Sequence, residues 1–227
     1  MARRAGAKKT AAKKTAGKTA RPRRRMNGAE PPAESGAALR RALLALVEER
    51  GWIDLSFAEI AEKAGVPIAE AHQLYPSKTA ILLGLTRAID ERILTSLAAD
   101  PLEGSAKDRL FDILMRRFDI LKADRGAYRR LMRQLPTTPN AFAALICQLR
   151  RSMALTLEAS GLSASGIRGE LRLQGLIAVY MAGLRCFGSD DSEDLSKTMA
   201  EIDKRLGQAE RLSGMVRRRR SADAATA

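Results

Sequence analysis

Apolar residues recur every three or four positions along the chain from residue 37 onwards, which is the spacing of one face of an α-helix. No segment alternates polar and apolar residues convincingly, as a half-buried β-strand does. Glycine or proline separates most of the periodic segments. We therefore expect an all-α fold of about nine helices, at residues 37–50, 56–64, 67–74, 77–98, 105–122, 126–134, 139–159, 166–187 and 192–213.

The strongest local signals lie in residues 55–78, which read LSFAEIAEKAGVPIAEAHQLYPSK. Ser56, followed three residues later by Glu59, predicts a capping box at the start of a helix. Gly65 suits the left-handed turn that ends this helix, and Pro67 suits the first turn of the next one. Two short helices joined by a tight turn and leading into a third are the layout of a helix-turn-helix DNA reader. A helical pair without DNA function is the alternative.

The order of these parts resembles the TetR family of bacterial transcription regulators. The resemblance covers residues 35–98 and rests on an amphipathic first helix, Gly51-Trp52, AEIAEKAGV, a short helix, and Tyr75-Pro76-Ser77-Lys78 opening a long helix. It implies a DNA-binding head and a helical body. The expected domains are a disordered basic tail (1–34), a helix-turn-helix domain (35–82), a regulatory and dimerisation domain (83–213) and a second disordered basic tail (214–227).

The resemblance assigns contact with double-stranded DNA to one group of residues: Ser56, Pro67, Ile68, Glu70, His72, Gln73, Tyr75 and Lys78. This chain departs from the usual pattern of the family, because His72 stands at the usual Tyr position and Glu70 at the usual Thr position. Residues 67–75 also contain no Lys or Arg. We expect Gln73 to pair with adenine, Glu70 to accept from a cytosine amino group, and Lys78 to reach a phosphate.

Positive charge is concentrated at the two ends of the chain. The net charge is +14, and residues 1–28 hold eleven Lys or Arg and no acid, whereas residues 217–227 hold four Arg and one Asp. Residues 29–216 are neutral, with 25 basic and 25 acidic residues. We expect the low-complexity N-terminal tail to bind phosphates without reading sequence. A tail that only aids solubility, or a chain that starts at Met26, is the alternative.

The long helices at the C-terminal end predict a homodimer. Residues 166–187 are almost entirely apolar and would leave an exposed apolar face without a partner. A two-fold dimer is also what a reader of palindromic DNA requires. The expected interface residues are Leu173, Leu176, Ile177, Tyr180, Leu184, Met199 and Ile202. The alternative is that residues 166–187 form the central helix of a monomer.

A pocket for an apolar small-molecule effector is implied by the TetR resemblance. Methionine and aromatic side chains line adaptable apolar sites, and several occur between residues 111 and 153. The expected lining residues are Phe111, Met115, Phe118, Tyr128, Met132, Phe142, Ile146 and Met153. Each of these residues is equally compatible with an ordinary core position.

The segment AVYMAGLRCFGSDDSEDLSKTMAEIDKRL also resembles the closing module of the lipid-binding accessory protein of ubiquinone biosynthesis, which has a TetR-like fold. This resemblance implies a lipid or isoprenoid-like ligand. It supports an alternative function, a lipid-binding protein that acts in quinone metabolism without reading DNA. The matching residues are Tyr180, Asp190, Asp191, Ser192, Asp194, Thr198, Arg205 and Leu206.

Other functional classes have little support in the sequence. No run of about 18 apolar residues predicts a membrane span, and the basic N-terminus lacks the apolar core of a secretion signal, so we expect a cytoplasmic protein. Cys147 and Cys186 lie in apolar helical segments and fit a reduced protein. Because His72 is the one histidine and no acid–base pair or nucleophile is evident, we expect no enzyme activity, no metal site and no cofactor.

Overall fold

The computed structural model describes residues 32–225, and it describes the side chains of residues 33–211. Regular structure in this range is entirely helical, which confirms the expected all-α class. None of these helices has the length and apolar character needed to cross a membrane. The helices are α1 (Pro32–Arg50), α2 (Phe57–Ala64), α3 (Ile68–Leu74), α4 (Lys78–Ala99), α5 (Ala106–Lys122), α6 (Arg125–Gln134), α7 (Pro139–Ala159), α8 (Gly166–Phe187) and α9 (Ser196–Ala225), with a 3-10 turn at Leu135–Thr137.

The caps of α2 confirm the local signals in the sequence. The Ser56 hydroxyl accepts from the Glu59 N–H at 3.2 Å, and the Glu59 carboxylate accepts from the Ser56 N–H at 2.8 Å. These two bonds satisfy N–H groups that a helix start otherwise leaves without partners. Gly65 ends α2 with φ of 68°, in the left-handed region where glycine is favoured. The residues that indicated the ends of this helix in the sequence therefore form its caps in the structure.

The body is centred on three aromatic rings. Phe118 on α5 packs against Tyr180 and Phe187 on α8, with ring centroids 5.6 and 5.4 Å apart. Gly183 permits this packing, because a Cβ there would lie 3.0 Å from Phe118 and 3.2 Å from Ile202 on α9. The absence of a side chain at residue 183 thus lets α5, α8 and α9 meet.

Helix α6 joins the body to the end of α1 at close range. The Gln134 side chain accepts a hydrogen bond from the Trp52 N–H just after α1. A Cβ on Gly51, where φ is 88°, would lie 2.6 Å from the Gln134 side chain, and one on Gly126 would lie 2.2 Å from Glu48. Small residues at these two contacts therefore set the distance between α1 and α6.

Both ends of the helical region differ from the sequence prediction. Helix α1 begins at Pro32, so residues 32–34 are helical although they were assigned to the tail. Helix α9 begins at Ser196 instead of residue 192, because the Asp190 carboxylate holds the preceding segment as a loop. The same helix continues to Ala225, through residues expected to be a disordered tail. The basic residues 1–28 lie outside the described residues, and their behaviour stays a prediction.

Candidate functional site

Helix α3 presents a small exposed surface. Pro67, Ile68, His72 and Gln73 are exposed, and Ile68 keeps 57% of its surface accessible. The His72 ring meets the edge of Phe57 on α2, with centroids 6.3 Å apart. A short helix that buries one side and exposes the other in this way can offer its outer side chains to a DNA groove.

Glu70 is turned towards α1. The Ser35 hydroxyl donates to the Glu70 carboxylate at 2.6 Å, and the Glu70 side chain is half-buried. The sequence placed this carboxylate against a cytosine amino group. In the structure one of its oxygens is bound to the first turn of α1, which links α3 to α1, and contact of Glu70 with a base stays a prediction.

Tyr75 fills the space between α1 and α4. Its hydroxyl accepts from the Arg40 guanidinium at 2.6 Å. Its ring lies against Gly84, where an added Cβ would be 2.5 Å from the ring. The aromatic residue of the Tyr-Pro-Ser-Lys segment therefore positions helices instead of facing outward.

Lys78 is occupied by the backbone that follows α1. Its ammonium group donates to the carbonyl oxygens of Trp52, Ile53 and Leu55 at 3.1, 3.3 and 2.7 Å, and it lies 4.8 Å from the centroid of the Trp52 ring. Burial lowers the pKa of Lys78, and nearby Asp54 and Glu59 oppose that shift. The expected contact with a phosphate would require Lys78 to leave these three carbonyls.

Two further cations of the head are also paired. Arg50 contacts Glu59 at 2.9 Å and Lys63 contacts Glu49 at 3.1 Å. Hydrogen bonds from Ser56 and Arg50 lower the pKa of Glu59 to about 2, so this carboxylate stays charged. With Arg40 and Lys78, four of the seven basic residues in 37–98 have partners inside the head.

The basic N-terminal segment joins the chain next to α3. Ser35, in the first turn of α1, is the residue that contacts Glu70 on α3. The eleven Lys and Arg of residues 1–28 precede Ser35 by ten positions or more in the sequence. The first turn of α1, which follows them along the chain, lies beside α3.

Most of the predicted interface residues lie in the core of the chain itself. Leu173, Leu176 and Tyr180 of α8 and Ile202 of α9 are buried within the chain itself. Ile177 and Leu184 are half-buried, and Met199 is exposed. The first four residues thus have no surface to offer a second copy, which corrects the sequence prediction for them.

A different side of α8 is exposed. Ile167 and Leu171 keep 91% and 68% of their surface accessible, and Ala178 is exposed two turns further along. Large apolar side chains with this exposure mark an interaction surface when they lie together on one helix. The surface formed by Ile167, Leu171 and Ala178, called the α8 stripe below, is the candidate dimer contact.

The eight residues expected to line a pocket do not surround one cavity. Phe118 and Met153 are fully buried in the core, whereas Phe142 and Ile146 lie on the exposed side of α7. The remaining four, Phe111, Met115, Tyr128 and Met132, are half-buried. None of the eight lines the cleft between α4, α5 and α7 or the one formed by Arg92, Ser96, Arg116, Asp119 and Ile120.

A small cleft lies instead between α4, α5 and α7, with a buried ion pair in its wall. Its empty volume is about 200 Å³, and it is lined by Asp90, Ile93, Leu94, Ile113, Arg117, Leu155, Thr156 and Ala159. The Arg117 guanidinium donates to the Asp90 carboxylate at 2.6 Å. Sequence reasoning missed both residues, although Arg117 shares the apolar face of Leu110, Leu114 and Leu121, an unusual place for a charge.

The residues that match the ubiquinone accessory protein have structural roles here. The Asp190 carboxylate accepts from Ser192, and from both the N–H and the hydroxyl of Thr198 at 2.8 and 2.7 Å. Arg125 donates to the Asp190 carbonyl and lies 5.2 Å from the Phe187 ring. These contacts hold the start of α9 against the body. They give Asp190, Ser192 and Thr198 a structural role, and the lipid ligand implied by the resemblance stays a prediction.

Solved structures with the same architecture are TetR regulators. A TetR transcriptional regulator from Nitrosomonas europaea ATCC 19718 has a TM-score of 0.63 and 18% identity, covering 79% of this chain and 99% of its own. The chain has the TetR fold. A second TetR regulator, from Rhodococcus sp. RHA1, gives a TM-score of 0.56 at 18% identity and covers 79% of this chain and 97% of its own.

A third similar structure is the fatty acid degradation regulator FadR from Bacillus halodurans. Its TM-score is 0.56 at 14% identity, with coverage of 78% of this chain and 96% of its own. No family model matches the chain, and no curated protein matches its sequence. Because identity is below one fifth in all three cases, the likeness shows the fold and leaves function to the residues of this chain.

Proposed function

We propose that the chain is a cytoplasmic, homodimeric DNA-binding transcription regulator whose DNA binding is controlled by an apolar small molecule. The observation that carries this proposal is the capped helix-turn-helix, which exposes His72 and Gln73 on the outer side of α3. Gln73 can pair bidentately with adenine, and the exposed Ile68 can contact a thymine methyl group. Glu70 is already bound to α1 and takes no part in reading.

Most of the affinity comes from the N-terminal tail. Four of the head's cations have partners within the head, so α3 and its surroundings contribute little attraction for phosphate. The eleven cations of residues 1–28 are attached beside α3 and would displace counterions from the adjacent backbone. Other helix-turn-helix proteins also combine a basic arm that contacts DNA with a helix that contacts the bases.

The dimer would form through the α8 stripe together with Met199 of α9. Burial of Ile167 and Leu171 against the same residues of a second copy gives a two-fold contact that removes the largest exposed apolar side chains of α8 from water. Two heads held by one dimer read two half-sites of a palindrome. An effector then acts by shifting the population between two dimer geometries.

A gel-shift and salt titration test the proposal. Full-length protein is titrated with its own upstream DNA, beside Gln73→Ala, a variant lacking residues 1–28, and Gln208→Ala as a control on exposed α9. We expect Gln73→Ala to lose sequence preference, and the shortened chain to lose most of the salt dependence. Absence of any shift near physiological salt with the full-length chain would contradict the proposal.

A second candidate function is a ligand-binding protein that keeps the TetR fold but does not read DNA. The observation in its favour is the internal pairing of Arg50, Lys63 and Lys78, which leaves the head without an evident basic patch. In that case the purified protein would retain a lipid or isoprenoid detectable by native mass spectrometry. The gel-shift would then show no sequence preference.

A further inference from the structure

The cleft between α4, α5 and α7 contains a buried arginine that is only partly satisfied. Arg117 is 2% exposed, and its Nη2 donates to Asp90 Oδ1, which also accepts from the Ser152 hydroxyl at 2.6 Å. The Arg117 guanidinium lies 5.7 Å from the ring centroid of Tyr180. Its Nε has no hydrogen-bond partner among the described residues. A buried donor without an acceptor costs free energy, which an acceptor brought by a ligand would recover.

The rest of the cleft is apolar apart from Thr156, whose hydroxyl donates to the Ser152 carbonyl, and it reaches the surface. Ile93 and Ile113 lie in its wall, while Leu94 on α4 and Leu155 on α7 line it and are both exposed. A mostly apolar cleft with a few polar groups, here Asp90, Arg117 and Thr156, has the usual composition of a site for a small organic ligand. The enclosed part has room for no more than about one water molecule, so a ligand must separate α4 from α7 to enter.

We propose that this cleft binds a small neutral amphiphile, whose carbonyl or hydroxyl oxygen accepts from Arg117 Nε and whose apolar body lies against Leu94 and Leu155. Asp90 already neutralises Arg117 at 2.6 Å, so the polar end of the cleft has no net charge. A carboxylate would bring an unbalanced charge into a buried site, which is costly. The ligand class is therefore a ketone, ester, quinone or alcohol with an apolar chain. This inference rests on the proposed function, because it names the class of the effector.

Entry of such a ligand would move the head through α4. Asp90, Ile93 and Leu94 belong to the same helix as Lys78, whose ammonium binds three carbonyls between α1 and α2. Twelve residues separate Lys78 from Asp90, a rise of about 18 Å along one helix. Displacement of α4 from α7 therefore reaches the part of the head that carries α3.

Calorimetric titration of the full chain with 2-decanone and with decanoate, which share chain length, tests the site. We expect saturable binding of the ketone and binding of decanoate at least about tenfold weaker. Asp90→Leu/Arg117→Met removes the donor without leaving a lone buried charge, and should weaken ketone binding at least about tenfold. Arg116→Met is the control, because Arg116 is adjacent in sequence but contacts Asp100 and Asp112 and does not line this cleft.

Ala159→Leu provides a second test that keeps the ion pair. Ala159 lines the cleft, so a larger side chain should fill it and abolish ketone binding in a protein that still folds. No saturable ketone binding by the wild type, tighter binding of decanoate, or unchanged binding in Ala159→Leu would overturn the proposal. Ketone binding that leaves the gel-shift unaltered would contradict the effector role alone. A sequence-specific gel-shift without ketone binding would contradict the ligand class alone.

Discussion

The Ser35 hydroxyl lies 2.6 Å from the Glu70 carboxylate and links the first turn of α1 to α3. In the proposed DNA complex this bond would keep the negative charge of Glu70 away from the DNA. We expect Ser35→Ala to destabilise the fold by about 1–3 kcal/mol, because a half-buried carboxylate loses a donor. DNA affinity should fall as well, since the freed carboxylate can approach phosphates. Urea denaturation and gel-shift measure the two effects.

The control for this substitution is Ser189→Ala. Ser189 is exposed, and its hydroxyl donates to the Cys186 carbonyl three residues earlier. We expect Ser189→Ala to have little effect on stability or DNA affinity. If Ser35→Ala had equally little effect, the Ser35–Glu70 bond would not orient α3.

Lys78→Met tests whether Lys78 has a structural role or contacts a phosphate of the DNA. Loss of the bonds to three carbonyls should cost about 2 kcal/mol of unfolding free energy. The salt dependence of DNA binding should stay the same, because the ammonium is already occupied. A slope smaller by about 1 would instead show that Lys78 contacts a phosphate in the complex. Lys63→Met, which breaks an exposed ion pair, should cost at most about 1 kcal/mol.

Gly84→Ala should be destabilising although alanine is the better helix former. The added Cβ would lie 2.5 Å from the Tyr75 ring, so Tyr75 must move away from Arg40. Overpacking of this kind costs about 1–3 kcal/mol. Gly207→Ala on α9 meets nothing closer than 3.9 Å and should stabilise the protein by about 0.5–1 kcal/mol. Thermal unfolding of both variants measures these changes in stability. A Gly84→Ala variant more stable than the wild type would contradict the packing of the Tyr75 ring against Gly84.

Leu171→Glu tests the α8 stripe. A charge at this exposed position should leave the fold intact and prevent association, because a buried interface would place two carboxylates near the two-fold axis. Sedimentation velocity should show a dimer for the wild type and a monomer for the variant. Ile53→Glu, at an equally apolar exposed position in the head, should remain dimeric. A dimeric Leu171→Glu would move the interface elsewhere.

Asp190 should make stability depend on acid pH. Burial alone would raise the pKa of this carboxyl, but hydrogen bonds from Ser192 and Thr198 outweigh it and lower the pKa to about 2. The folded pKa lies below the unfolded one, so the stabilisation is present above about pH 4 and is lost as the pH falls towards 2. It amounts to about 2 kcal/mol. Urea denaturation should show that Asp190→Asn has a lower free energy of unfolding than the wild type by this amount at pH 7, and by less near pH 3. The same difference at both pH values would contradict the prediction.

The helix-turn-helix could be predicted because its signals are local. Ser56, Glu59 and Gly65 cap and end α2 within a few residues, and no distant part of the chain is needed to interpret them. Orientation of the side chains was harder to predict. Glu70 and Lys78 face inward because α1 and the segment after it supply a hydroxyl and three carbonyls, which sequence spacing does not reveal.

Burial in the body could not be predicted from periodicity, because α8 is apolar on most sides. Tyr180 is a core residue because it packs against Phe118, which Gly183 allows to approach, and Leu173 is also buried on this helix. The cleft depends on the pairing of α4 with α7, which are far apart in sequence. The available signal was a charge on an apolar face, at Arg117, and recognising its partner Asp90 required the structure.

The single tryptophan of the chain gives the head its own optical reporter. Trp52 is fully buried, beneath the Lys78 ammonium and next to Gln134 of α6. Its fluorescence therefore follows solvent entry at the junction of α1, α4 and α6, while circular dichroism follows all helices. Coincident transitions by the two methods would mean that head and body unfold as one cooperative unit. The fluorescence of the unlabelled protein can thus follow changes at the junction of α1, α4 and α6, through which a ligand in the body would act on DNA binding.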